Sequence, residues 1–78
     1  MKVILFGIVK DIIGESELQI NLEKDITISE LQTILFNKYP KLKDINKFAF
    51  AINENYANKS DFIKNLDTVA IIPPVSGG

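Results

Sequence analysis

The chain has one run of β-branched and aromatic residues near each end, and in both runs the odd and the even positions are apolar. The runs span residues 2–9 and residues 68–72. A strand with two apolar faces belongs inside a sheet or under cover on both sides. The connection between the runs is long enough to hold a helix, so the strands can pair in parallel. We therefore predict two central, adjacent strands.

The segment after the first run predicts an edge strand and then one helix. Residues 10–16 predict a loop, and residues 17–22 alternate between apolar and polar, as a half-buried strand does. Thr27 and Glu30 have the spacing of a capping box. Apolar residues then recur at helical spacing until Pro40, which stops the helix. The predicted helix spans residues 28–38.

Further strands follow this helix. A polar connection at residues 41–47 leads to a third strand at residues 48–52 and a turn at residues 53–55. A short edge strand and one helical turn at residues 60–64 fit the less regular stretch before the last strand. The order predicts an α+β fold of the β-grasp (ubiquitin-like) type, a mixed sheet packed on one main helix.

The composition excludes several classes of function. The 78 residues form one domain, and a hydrophobic content of 46% supplies one core. The chain has no Cys and no His, so it offers no thiol nucleophile, no imidazole base and no zinc site. A net charge of −1 gives no electrostatic footprint for nucleic acid or an anionic membrane. We expect a cytoplasmic protein that binds no cofactor or metal itself.

A single helix covers one face of a sheet, so strands with two apolar faces leave some side chains uncovered. Contiguous apolar surface on a small protein usually marks a partner site. We predict that the uncovered face beside the C-terminal tail docks a protein, with Phe6, Ile71 and Ile72 in the interface. The alternative is that loops cover this face. We expect some of the apolar residues of these two strands to be exposed, and the candidates are Ile4, Phe6, Ile8, Val69, Ile71 and Ile72.

The chain divides into a domain, residues 1–72, and an extended tail, residues 73–78, that reads Pro-Pro-Val-Ser-Gly-Gly. The prolines fix φ and favour a stiff exit from the sheet. Gly77 and Gly78 have no side chains, so they can thread a narrow channel. ATP could convert the terminal carboxylate into an acyl-adenylate, and a sulfur donor could then form a thiocarboxylate. The alternative is that the two glycines are a frayed end or an expression scar.

The ending at residues 69–78 resembles the terminal signature of the small subunits of molybdopterin synthase, the MoaD-like sulfur carriers of the ThiS/MoaD family. The resemblance spans nearly the whole chain, and the double proline is its most specific part. Ubiquitin-like modifiers and the thiamine-pathway carrier share the diglycine but usually lack the prolines. Supporting pieces are Leu5-Phe6, Gly14, Thr27-Ile28 through Leu31, and Ala51-Ile52-Asn53.

Three positions depart from this family pattern. Gly7 stands where Ala is common, and Lys10 stands where Arg is common. Leu66 replaces the Gly of an Asp-Gly-Asp turn before the last strand, and Leu adopts a positive φ less cheaply than Gly. These departures bear on partner docking and leave the tail unchanged.

The resemblance implies a cycle of activation and transfer. An adenylating enzyme would activate Gly78 with ATP and magnesium, and a sulfur donor would complete the thiocarboxylate. The tail would then enter the active site of the large subunit, in a heterotetramer, and give its sulfur to cyclic pyranopterin monophosphate. The catalytic side chains would belong to the large subunit. The tail residues that insert ahead of Gly78 would be Pro73, Pro74, Val75, Ser76 and Gly77.

Three other interpretations stay open. A carrier of the same class could serve thiamine synthesis, tRNA thiolation or a sulfur-containing amino acid. A ubiquitin-like modifier would instead form an isopeptide through Gly78. An interaction module of the same fold would have an inert tail, and deletion of Gly77 and Gly78 would leave its function intact.

Overall fold

The structure is a computed structural model that describes residues 1–45 and 47–74. Its strands and helices are short, and they follow one another with few connecting residues. In chain order they are β1 (Lys2–Leu5), α1 (Gly7–Ile13), β2 (Glu17–Gln19), β3 (Ile26–Thr27), α2 (Ile28–Lys38), a 3₁₀ helix (Pro40–Asp44), β4 (Ala49–Ile52), β5 (Asn55–Ala57), β6 (Phe62–Ile63) and β7 (Thr68–Ile72).

The main sheet is mixed and has five strands in the order β2-β1-β7-β4-β5. β1 and β7 are parallel neighbours at its centre, with Val3 opposite Val69 and Leu5 opposite Ile71. Every other pair in this sheet is antiparallel. A separate pair, β3 and β6, lies outside it. This topology confirms the β-grasp fold, the central parallel pair and the edge position of β2.

The core lies between the sheet and α2. Val3 and Val69 are fully buried on the inner face of the sheet, and Ile28 and Leu31 of α2 are fully buried against it. The alternate residues of the central strands are half-buried on the outer face, as the period of a strand requires. In the ranges described, no helix is long and apolar enough to cross a membrane.

The helix α2 has the predicted bounds and the predicted cap. The Glu30 N–H donates to the Thr27 hydroxyl at 3.1 Å, and the Thr27 N–H donates to the Glu30 carboxylate at 3.0 Å. The second bond holds the pKa of Glu30 below its usual value. Two N–H groups at the helix start are thereby satisfied, which fixes where α2 begins.

The predicted first strand, residues 2–9, and the loop predicted after it are wrong beyond Leu5. The chain turns at Gly7, which has a φ of +54°, and α1 runs to Ile13. Val9 is fully buried on the inner side of this helix. Gly14 ends α1 with a φ of +85°, and its N–H donates to the Lys10 carbonyl at 2.8 Å.

Smaller corrections concern the connections. β2 ends at Gln19, three residues earlier than predicted, and the polar connection contains the 3₁₀ helix. The predicted turn is confirmed at residues 53 and 54, and the predicted short edge strand is β5, which already includes Asn55. The helical turn predicted at residues 60–64 is wrong, because Phe62 and Ile63 pair with β3 instead.

The turn before β7 is held by the Asp67 carboxylate. It accepts hydrogen bonds from the Lys64 N–H at 2.8 Å and from the Asn53 side chain at 3.0 Å. These bonds hold the pKa of Asp67 below its usual value. The Asn53 amide oxygen accepts in turn from the Thr68 N–H at 3.0 Å, so the network also fixes the start of β7.

Asp67→Asn tests this network. Because the pKa of Asp67 is lower in the folded state, its carboxylate stabilises the fold above pH 4 and loses this effect as protonation occurs in more acidic solution. We expect the substitution to lower the free energy of unfolding by about 1 kcal/mol at pH 7. The difference from the parent should shrink toward pH 2, as measured by urea unfolding. The matched control is Asp25→Asn, and an equal loss in both variants would contradict the assignment.

Candidate functional site

The ends of β1 and β7 form a shallow apolar depression, which we call the exit surface. Its lining residues are Phe6, Gly7, Ile72, Pro73 and Pro74. Parallel strands end at the same edge of a sheet, and Leu5 lies opposite Ile71. Phe6, the first residue after β1, and Ile72, the last residue of β7, therefore lie at the same edge of the sheet. The depression is the place from which the tail departs.

Gly7 allows the tail to leave close to the protein surface. A Cβ atom at this position would lie 3.2 Å from Cγ of Pro73, which is tighter than an ordinary contact. The positive φ of Gly7 also favours a residue without a side chain. Gly7 thus serves both the turn from β1 into α1 and the packing of Pro73 against that turn.

The side chains predicted for the interface differ in their exposure to solvent. Phe6 is 47% exposed and Ile72 is half-buried, so both can be reached from the exit surface. Ile71 is only 3% exposed, because residue 71 points to the core face of β7. Its prediction as an interface residue is therefore corrected. Val69 is fully buried for the same reason, whereas Ile8 is 49% exposed on α1.

The exit surface continues onto the outer face of the sheet. A row of residues paired across four strands carries small side chains in its middle and a large one at its end: Ile4, Ala70, Ala51 and Tyr56. Tyr56 is 81% exposed on the edge strand β5. The sequence predicts a short edge strand in this stretch, but a strand of three residues is too short to show which face Tyr56 occupies. Its register with Ala51 is what puts it on the outer face.

The residues that line this surface are apolar, which suits docking of a protein partner. The ion pair nearest to it joins Lys2 and Glu17 at 3.6 Å, at the opposite end of β1. Within residues 1–45 and 47–74 no three Asp or Glu side chains cluster as a metal site requires. Val75, Ser76, Gly77 and Gly78, which the sequence predicts to enter a partner, lie outside the described residues.

Comparison with known proteins identifies the family. The ThiS family matches residues 3–78, which is nearly the whole chain. This chain belongs to the ThiS family. Full-length relatives include the "molybdopterin synthase sulfur carrier subunit" of Dictyostelium discoideum, 37% identical over 99% of this chain and 94% of the relative. The protein of the same name from Caenorhabditis briggsae is 33% identical over 100% of this chain and 96% of its own.

Two solved structures extend this ThiS family relationship. The small archaeal modifier protein 1 of Methanosarcina acetivorans superposes with a TM-score of 0.80 at 28% identity, covering 99% of this chain and 94% of that one. A chain from the complex of subunits 1 and 2 of the molybdopterin-converting factor of Helicobacter pylori gives 0.67 at 29% identity. It covers 99% of this chain and 96% of its own. The fold is therefore shared by carriers and modifiers.

The adjacent residues Leu5 and Phe6 test which side chains the exit surface presents. Leu5→Ala removes a buried side chain and should lower the free energy of unfolding by about 3 kcal/mol. Phe6→Ala removes a half-exposed one and should cost less than about 1 kcal/mol. Urea unfolding of both variants makes the comparison. Equal losses would show that Phe6 belongs to the core and not to the exit surface.

Proposed function

We propose that this chain is the sulfur-carrier subunit of a molybdopterin synthase. The observation that carries the proposal is the full-length similarity to several relatives of that name. The family match extends to residue 78 and so covers the Pro-Pro-Val-Ser-Gly-Gly ending. The exit surface supports it, because an exposed apolar depression lies where this tail leaves the sheet. The composition supports it too, because a carrier needs no reactive side chain of its own.

The first step takes place on an activating partner. An oxygen of the Gly78 carboxylate attacks the α-phosphorus of ATP, and the bond to pyrophosphate breaks. The product is an acyl-adenylate in which AMP is the leaving group. Hydrosulfide from a sulfur donor then attacks the acyl carbon, AMP departs, and the terminus becomes a thiocarboxylate. ATP and magnesium are held by the partner.

This chain contributes position and access. Pro73 and Pro74 fix φ where the tail begins, and the contact between Gly7 and Pro73 sets the direction in which it leaves. The six residues 73–78 can extend about 20 Å, enough to reach a buried active site in a partner. The small side chain of Ser76 and the two glycines let the tail pass through a narrow entrance.

The second step takes place on the large subunit. Phe6 and Ile72 dock against it while the tail enters its active site, and the sulfur passes to cyclic pyranopterin monophosphate. Two thiocarboxylated carriers complete one dithiolene, which fits a heterotetramer of two small and two large subunits. The acids and bases of the reaction are side chains of the large subunit. The complex works in the cytoplasm and needs neither nucleic acid nor a membrane.

A ubiquitin-like protein modifier is the second candidate. The similarity to the archaeal modifier protein favours it, because that protein shares the fold at 28% identity. A modifier would end as an isopeptide between Gly78 and a lysine of a target. Carriers for thiamine or thiolated tRNA would form the same thiocarboxylate and differ only in the partner.

Intact-protein mass spectrometry distinguishes a sulfur carrier from a protein modifier at the first step. The purified chain is incubated with a cognate activating enzyme, ATP, magnesium and a sulfide source. Replacement of one oxygen by sulfur adds about 16 Da, nearly the mass that oxidation of Met1 would add, so a chain lacking Gly77 and Gly78 is the control. We expect a gain in the full chain alone.

A gain in both chains would show oxidation and not sulfur transfer. No gain with several competent activating enzymes would contradict the carrier function. High-mass adducts that appear when lysine-containing targets are added would favour the modifier instead.

A further inference from the structure

A second concave surface lies on the helix side of the sheet, and we call it the lysine cleft. It has a volume of about 470 Å³, and its lining residues come from α2, from the 3₁₀ helix, from residues 45, 47 and 48 ahead of β4, and from the connection between β5 and β6. Its walls carry three positively charged side chains and its floor is aromatic. The residues that matter here are Phe36, Phe48, Lys43, Lys47 and Lys59.

The floor of the cleft is anchored to the core. The rings of Phe36 and Phe48 are tilted by 56° with centroids 5.8 Å apart. Phe48 also packs on Phe50 at 6.3 Å, and Phe50 is only 4% exposed. Such aromatic pairs hold their geometry. The floor is therefore a fixed apolar surface, and a ligand would find it already formed.

The rim has one sign of charge. Lys43, Lys47 and Lys59 are exposed, and none of the described residues that line the cleft is acidic; the exposed Asp44 beside Lys43 is not among them. In the part of the chain that the structure describes, the one ion pair is elsewhere, between Lys2 and Glu17. The nearby Asp61 carboxylate accepts a hydrogen bond from the Asn58 N–H at 2.8 Å, within its own loop. A local positive surface thus sits on a chain whose net charge is −1.

The cleft opens at the same end of the sheet as the exit surface. Ala49, which follows Phe48, pairs with Ile72, the residue that precedes the prolines. Lys59 comes two residues after Ala57, which pairs with Phe50, so the β4–β5 hairpin returns it to this end. A protein that engages the exit surface would therefore reach the lysine cleft across the edge formed by β7 and β4.

We propose that the lysine cleft docks an acidic segment of the large subunit. Carboxylates of that segment pair with Lys43, Lys47 and Lys59, and an apolar side chain between them covers Phe36 and Phe48. The inference rests on the proposed function, because it takes the large subunit as the partner on the exit surface. A complex of the two subunits exists for the Helicobacter pylori relatives.

The residue types favour a protein ligand over a phosphate compound. Lysines are point charges on flexible stems, whereas arginine forks and helix N-termini are the groups that recognise phosphate with fixed geometry. An aromatic floor of this size buries an apolar side chain, which an inorganic anion does not have. Charge complementarity at a rim mainly raises the association rate and selects the partner.

The test is the affinity of the cognate large subunit for Lys43→Glu/Lys59→Glu, measured by titration calorimetry at low salt. Two attractive contacts become repulsive, so we expect the dissociation constant to rise on the order of tenfold. The parent complex should weaken as salt is added, and the variant should show a smaller salt dependence. The matched control is Lys24→Glu/Lys64→Glu, which changes the net charge equally at residues outside the cleft and should stay within about twofold of the parent.

Each remaining outcome counts against the proposal. Equal weakening in both variants would show a general charge effect, and unchanged affinity in both would leave the cleft without a role in this complex. If the charge reversal weakened binding to the activating enzyme and not to the large subunit, the cleft would dock the activating enzyme and the proposal would be wrong. Urea unfolding checks that the variants fold. If the charge-reversal variant does not fold, the neutral variant Lys43→Gln/Lys59→Gln takes its place. The sulfur gain at Gly78 is measured in a separate experiment, so a failure of the cleft proposal can be distinguished from a failure of the proposed function.

Discussion

The parallel pairing of β1 and β7 is the contact on which the rest of the molecule depends. It joins the two ends of the domain, and it aligns Val3 with Val69 and Leu5 with Ile71 on the core face. Burial of such side chains stabilises the fold by roughly 2 kcal/mol each, so the register is strongly specified. A slip by one residue would send every one of them to the outer face. The exit surface exists because both strands end at the same edge.

Because of the same pairing, core residues and docking residues alternate along a single strand. Residue 71 points inward and residue 72 outward, so neighbouring isoleucines serve the core and the exit surface. Ala51 and Ala70, with their small side chains, keep the outer face low between Ile4 and Tyr56. A partner can approach such a face closely. In the function proposed above the reactive group is the C-terminal carboxylate, so the domain would need to offer only a stable base, a docking face and a stiff exit.

Elements with local signals could be predicted from the sequence. The capping box of Thr27 and Glu30 fixed the start of α2, and the apolar run at residues 68–72 matched β7 residue for residue. Composition and the glycine ending already pointed to a carrier without catalytic side chains.

Features that depend on tertiary structure could not be predicted in this way. An apolar run fits a strand and a buried helix equally well, so the sequence did not reveal that Gly7 starts α1. The inward direction of Ile71 depends on register with β1. The lysine cleft joins Lys43 with Lys59, which the β4–β5 hairpin returns to the same end of the sheet. The sequence shows Lys43 and Lys47 in one loosely basic stretch that is typical of a solvated loop, and nothing in it indicates that Lys59 joins them.

The most direct test of the account is a single turnover with the charged carrier. The thiocarboxylated chain is mixed with the cognate large subunit and cyclic pyranopterin monophosphate, and molybdopterin and remaining thiocarboxylate are both measured. We expect molybdopterin to form, with two thiocarboxylates consumed for each molecule. Intact thiocarboxylate with no molybdopterin, in a mixture where the subunits are shown to associate, would contradict it.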